Sequence, residues 1–325
     1  MRSFWIGLVL ILLLAACGGE ATPGEPAGGA ATGPRAEPLM VLATTQQIAD
    51  AVEQVAGGNV TLTTLFGPGM DPHTYVATES DIRTFEEADI IFSNGLHLEA
   101  QLERVLKQMA TREGKRVIAV AEQLEETSLL SWEPESGLPN DPHVWNDVRL
   151  WKRVVANISS TLAEADPANE ATYQANTADY QARLDTLHEY ILEQVERIPV
   201  EQRVLVTAHD AFGYYGRAYG LSVEAVQGIS TETEASTADV QDLAEIVAER
   251  GVPAIFIETT ISPRTIEAVQ AAVRARTGNE IRIGGELYSD AMGDPGTEEG
   301  TYIGMMRHNT DTIVAALGGN SNGEQ

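Results

Sequence analysis

Three observations predict an α/β protein of two lobes, each a mostly parallel sheet flanked by helices, joined by one long helix. Short β-type runs alternate with helical stretches from Met40 onward, which is the pattern of βαβ units. The interval from Ala168 to Ile198 contains neither glycine nor proline and carries one apolar stripe. At 325 residues the chain exceeds the usual size of one domain, so two lobes can each bury a core.

Taken in order, Val41–Ala43, Val60–Leu65, Ile90–Phe92 and Arg116–Ala119 read as strands of the first lobe, residues 40–165. Helices begin near Thr45, Thr78 and Leu98, and Thr78 with Asp81 has capping-box spacing. A further helix starts at Asp147 and carries Leu150, Val154, Val155, Ile158 and Leu162 on one face. Asp166-Pro167 reads as an N-cap followed by proline in the first turn, opening the linking segment 166–199. Its stripe is Tyr173, Tyr180, Leu184, Leu187, Ile191, Val195 and Ile198, and a helix of that length would run about 45 Å. The second lobe, residues 200–318, repeats the alternation. Its strands are expected at Arg203–Thr207, Leu221–Ala225, Ala254–Ile257 and Glu280–Ile283. Its helices are expected near Ala211, from Ser236, from Ser262-Pro263, and from Thr301 to Leu317. Residues 319–325 read as a disordered tail.

The ends differ in kind from the body. Arg2, the apolar run Phe4–Leu14 and the small residues Ala15-Ala16 form an export signal over residues 1–16. That run falls below the roughly 18 residues needed to span a bilayer. Cys17 follows directly and is the one cysteine of the chain, so no intramolecular disulfide can form. Its position marks it as a lipidation site. Gly18–Pro38 is dominated by Gly, Ala, Pro, Thr and Glu and reads as a disordered tether over 17–39, with a reach on the order of 25 Å. With 48 Asp+Glu against 21 Lys+Arg, the formal charge of −27 argues against nucleic acid as a partner and is compatible with a cation.

Six histidines occur, and two of them sit in identical tripeptides, Asp71-Pro72-His73 and Asp141-Pro142-His143. Proline stiffens each turn, as a ligand needs. His209, at the end of an apolar run, and Asp290, in a loop beyond Gly284-Gly285, could complete a set of three imidazoles and one carboxylate suited to a divalent transition ion. Open parallel sheets bind ligands beyond the carboxyl ends of their strands, where these residues fall. Each histidine could equally be a turn or core residue bonded to backbone, and Asp290 a helix cap. His97 is expected to open a helix; His188 and His308 lie on helices and read as non-ligands.

The export signal with its lipobox cysteine, Asp71-Pro72-His73-Thr74-Tyr75 with Ser80-Asp81-Ile82, Asn94-Gly95-Leu96 with Glu99, Asp141-Pro142-His143-Val144-Trp145, Thr207-Ala208-His209-Asp210-Ala211-Phe212 and Tyr288-Ser289-Asp290 together resemble the zinc/manganese substrate-binding lipoproteins of ABC importers. The match runs from about Met40 to Leu317. The resemblance implies a metal site in the cleft between the lobes with His73, His143, His209 and Asp290 as ligands. It implies a monomer, lipid-anchored on the extracytoplasmic face of the membrane or periplasmic, that hands Zn(II), or secondarily Mn(II), to an ABC permease and its ATPase. Many manganese-type members have Glu where this chain has His209, which tilts the reading to zinc. Many zinc-type members carry a His-rich loop before the second ligand, whereas Glu122–Asn140 contains five glutamates and no histidine.

Two rivals follow from the same residues. A zinc-dependent hydrolase would keep three protein ligands and an open water position. The fourth candidate ligand and the absence of His-Glu-x-x-His argue against it, and Glu258 at a strand end is its sole base candidate, with a supporting or capping role the stronger reading. A surface adhesin with a structural metal would share the anchor. The sequence therefore reads as a binding protein and not an enzyme.

Overall fold

Parallel pairing builds the first lobe: β1 (Leu39–Ala43), β2 (Val60–Thr64), β3 (Ile90–Ser93) and β4 (Arg116–Ala119) form a sheet in the order β2-β1-β3-β4. The computed structural model describes Met1, residues 37–132 and residues 140–318. The export signal, Cys17, the tether up to residue 36, part of the acidic stretch before the second Asp-Pro-His and the tail 319–325 lie outside the described residues. No helix among the described residues is long and apolar enough to cross a membrane.

Crossover helices α1 (Gln46–Ala56), α2 (Glu79–Glu87) and α3 (Glu103–Ala110) connect the strands. Thr45 caps α1 through its hydroxyl, and Thr78 and Asp81 form the expected capping box on α2. The helix expected near Leu98 starts later, as a 3-10 turn at Ala100–Leu102 leading into α3. Leu96 and His97 have φ of 52° and 68°, a left-handed turn that no helix can continue through. Glu99 is drawn inward there, accepting from the Thr44 hydroxyl at 2.6 Å and from the backbone N–H groups of Asn94 and Gly95.

Helix α4 (Val148–Ala165), capped by Asp147, buries Leu150, Trp151, Val154, Val155, Ile158 and Leu162. The long helix α5 (Glu170–Val195) follows and buries Tyr173, Tyr180, Leu184, Leu187, Ile191 and Val195, the stripe read from the sequence. At 26 residues it spans about 39 Å, shorter than expected, because residues 167–169 form a 3-10 turn. Asp166 takes the expected N-cap position of that turn, with Pro167 following, but its side chain makes no capping bond to the backbone: its carboxylate accepts from the Tyr173 hydroxyl at 2.9 Å and from the Asn169 side chain at 2.7 Å. Helix α5 packs on α1 and α4 of the first lobe and on α9 of the second, so one continuous apolar core runs through both.

The second lobe pairs β5 (Val204–His209) with β6 (Ser222–Gln227), and β7 (Ala254–Glu258) with β8 (Arg282–Leu287), both in parallel, with β5 packed beside β7. Helices α6 (Gly213–Tyr219), α7 (Thr237–Arg250), α8 (Arg264–Thr277) and α9 (Tyr302–Leu317) complete it. The strand expected at Glu280–Ile283 lies further along, at Arg282–Leu287, and takes in the Gly284-Gly285 pair. A Cβ on Gly284 would stand 2.7 Å from Ala316 and from the Phe256 ring, so glycine lets α9 approach the strand.

Candidate metal centre

Each candidate side chain leaves the carboxyl end of a strand or the loop beyond it. His209 is the last residue of β5, and Glu258, the last of β7, grips it three ways. One carboxylate oxygen accepts from the backbone N–H of Ala208 at 2.7 Å and of His209 at 2.9 Å; the other faces His209 Nδ1 at 2.6 Å. His143 is held by its own tripeptide, since Asp141 Oδ1 accepts from the His143 backbone N–H at 2.9 Å and faces Nδ1 at 2.7 Å. A carboxylate on Nδ1 orients the ring and leaves Nε2 to the ligand.

The first Asp-Pro-His builds the same backbone turn, with Asp71 accepting from the His73 N–H at 2.9 Å, but aims its carboxylate elsewhere. The second Asp71 oxygen accepts from the Thr74 hydroxyl at 3.0 Å and from the Thr231 hydroxyl, in the other lobe, at 2.6 Å. His73 Nδ1 has no hydrogen-bond partner. Two identical tripeptides thus do different work.

All four candidates converge. His73, His143, His209 and Asp290 are fully buried at the side chain, and one ligand atom from each lies within 4.8 Å of the others. Nε2 of His209, His143 and His73 stands 3.2, 3.4 and 3.8 Å from an Asp290 oxygen. None of these contacts is a hydrogen bond, and the three Nε2 atoms and both Asp290 oxygens are orphaned in the interior. Unpaired buried polar atoms are costly, and five of them facing one point describe a cation-binding cage. Tetrahedral coordination at zinc distances needs ligand–ligand edges of about 3.4 Å, which the contacts to Asp290 bracket.

The electrostatics fit an exchange of protons for a divalent ion. Burial pulls the His143 imidazole down, but the charge and hydrogen bond of Asp141, helped by Asp290, override it and raise it to about 9. Burial likewise opposes His209, and Glu258 with Asp290 drives it well above its usual range. Burial raises Asp290, but the His209 and His143 charges override it and hold its carboxyl well below the usual carboxylate range. His73 lacks a carboxylate on Nδ1, and burial lowers it to about 3 against the pull of Asp290. A divalent ion would therefore replace two imidazole protons without changing the charge of the cage.

The remaining histidines lie apart from the cage. His188 pairs with the Tyr219 hydroxyl at 3.2 Å and His308 with the Glu286 carbonyl at 3.1 Å. His97 sits in the left-handed turn rather than opening a helix, with Nδ1 on Glu103 at 2.6 Å. Sequence reasoning missed the side chains that hold the ligand segments in place. Trp145 Nε1 donates to the Ser289 carbonyl at 3.0 Å, Gln47 to the Asp290 carbonyl at 3.2 Å, and Asn94 to the Pro142 carbonyl at 3.0 Å. Asn94 and Trp145 stand in the motifs quoted above, but the partners of these side chains lie up to 243 positions away, so no local pattern shows what they hold.

Comparison with known proteins yields a consistent set. The family model described as zinc-uptake complex component A, periplasmic, matches residues 41–316. Zinc-binding protein TroA of Treponema pallidum is 48% identical over 278 residues, covering 86% of this chain and 88% of the relative. Its solved structure superposes with a TM-score of 0.83, covering 86% of this chain and 99% of that one. The manganese-binding lipoprotein MntA of Bacillus subtilis is 42% identical over 279 residues, covering 86% of this chain and 90% of the relative. The manganese ABC transporter substrate-binding lipoprotein PsaA of Streptococcus anginosus is 30% identical over 283 residues, covering 86% and 89%.

Proposed function

This chain belongs to the periplasmic zinc-uptake component A family, and from that premise we propose that it is a solute-binding receptor, not an enzyme. In this reading it captures Zn(II), with Mn(II) second, outside the cytoplasmic membrane and delivers the ion to an ABC permease and its ATPase. His73, His143, His209 and Asp290 are the ligands; the observation that carries the reading is the convergence of three orphaned Nε2 atoms on one buried carboxylate. Imidazole-rich donor sets suit first-row transition ions, whereas calcium and magnesium favour all-oxygen shells. Zinc comes before manganese because the third ligand is His209 rather than a carboxylate. Cys17 carries the lipid, residues 18–38 tether the body to the membrane, and the receptor acts as a monomer whose lobes, 40–165 and 200–318, are joined through 166–199.

The ligands' role is tested by His143→Ala, which removes one donor of four. Zinc affinity should fall at least about 10-fold; an unchanged titration would refute the assignment. Cargo identity is read by stripping the protein with chelator, reloading it with equimolar Zn(II) and Mn(II), and weighing the bound ion by native mass spectrometry. Zinc should dominate, and a dominant manganese signal would reverse the order.

A further inference from the structure

The four candidate ligands are not held alike. Beneath the cage, buried hydrogen bonds stitch the segments bearing His143, His209 and Asp290 across the two lobes. Trp145 donates to Ser289, Asn146 to the Ala211 carbonyl at 2.9 Å, Tyr214 to the Asp141 carbonyl at 2.8 Å, and Gln47 to Asp290. The His73 segment, by contrast, is an irregular stretch between β2 and α2, with Met70 and Val76 exposed on either side of the histidine. Its hydrogen bond to the second lobe is the short one from Thr231 to Asp71.

Thr231 lies on the connection between β6 and α7, and its neighbour Glu232 reaches the first lobe as well. Glu232 accepts from Gln101 at 2.7 Å and stands 3.4 Å from His97 Nε2. His97 and Leu96 are the non-glycine residues with positive φ among those described, a conformation that persists where surrounding contacts hold it. Those contacts are the Glu103 carboxylate on His97 Nδ1, Glu122 on the Leu96 N–H at 3.3 Å, and Glu232 from across the cleft.

Resting on the receptor function above, we propose that Thr231 and Glu232 form a two-point clasp that closes the second lobe over the His73 turn and sets how long the captured ion stays. Thr231 locks Asp71, which itself caps the turn presenting His73; Glu232 fastens the strained turn at Leu96-His97 beside it. Thr231 and Asp71 are positioning residues. They touch no ion, and they act by denying the His73 turn the outward movement that would open one side of the cage.

The clasp predicts an effect on release rather than on capture, because its bonds restrain the outward movement of the His73 turn. Zinc-loaded protein is mixed with a chromogenic chelator in rate-saturating excess by stopped flow, for the parent, Thr231→Val, Thr231→Ser and Thr231→Val/Glu232→Ala. Association rates and thermal melts of the metal-free forms are taken alongside. Losing a charge-assisted hydrogen bond should speed release by about tenfold in Thr231→Val, and further in the double variant. Association and the metal-free melt should stay at parent values, and Thr231→Ser should restore slow release. Parent-like release in Thr231→Val, equal acceleration in Thr231→Ser, or a change shared by association and the metal-free melt would overturn the clasp. A parent protein that retains neither zinc nor manganese would overturn the receptor reading instead.

Discussion

Acidification should empty the cage by a predictable amount. In the metal-free state His143, raised to about 9, and His209, higher still, both carry protons at neutral pH, while His73, lowered to about 3, does not. An ion coordinated by Nε2 must displace the two protons, so binding at pH 7 releases about two per ion. The sign follows from linkage: affinity rises with pH as long as the free site is protonated, at about two log units per pH unit. Taking the solution from about pH 7.5 to about pH 6.0 should therefore weaken binding about 1,000-fold. Chelator competition at each pH measures the slope, and calorimetry in two buffers of different ionisation heat counts the protons directly. A slope below one, or fewer than one proton released at pH 7, would show that Asp141 and Glu258 do not hold protons on these rings and would refute the exchange.

Further perturbations test the parts separately. In Glu258→Gln the charge beside His209 Nδ1 is lost, so zinc affinity should drop about 10–100-fold and the proton count should move from two towards one, read by the same calorimetry. For the metal-free protein, the raised imidazole of His143 contributes stability that is fully present below its ordinary value of 6.5 and is lost as pH rises through about 9; thermal melts across that window should decline. Tyr180→Phe removes the hydroxyl that donates at 2.7 Å to buried Asp50, where α5 meets α1, and should cost about 1–3 kcal/mol by urea unfolding. Gly284→Ala would drive a methyl into Ala316 and Phe256 and should cost about 1–3 kcal/mol by the same measurement, with the urea slope unchanged.

Much of the architecture was legible because it is written in local terms. Strand and helix alternate in periodicity, Thr78-Asp81 and Ser236-Asp239 carry their capping boxes within three residues, and the apolar stripe of α5 recurs at helical steps. Where local terms failed, a distant partner had competed. Asp166 holds the N-cap position before Pro167, but the Tyr173 hydroxyl and Asn169 take the carboxylate that would have capped the backbone. The strand expected to end at Ile283 runs on through Gly284-Gly285, where α9 needs the space above it. The helix expected at Leu98 was displaced by the inward pull on Glu99.

The chain by itself supplied the candidates for the cage: two stiffened Asp-Pro-His turns, a histidine ending an apolar run, and an aspartate beyond a strand. Residue type, spacing and the direction of parallel strands nominate them, and the family resemblance implies them as a set. Only the tertiary structure decided the environment of each donor, since orientation and protonation depend on groups remote in sequence. Glu258 reaches His209 across 49 positions, and Thr231 takes Asp71 across 160. The repeated tripeptide shows the division most plainly. Asp141 turns inward to charge its own imidazole, whereas Asp71 turns across the cleft, because a hydroxyl from the other lobe is there to meet it.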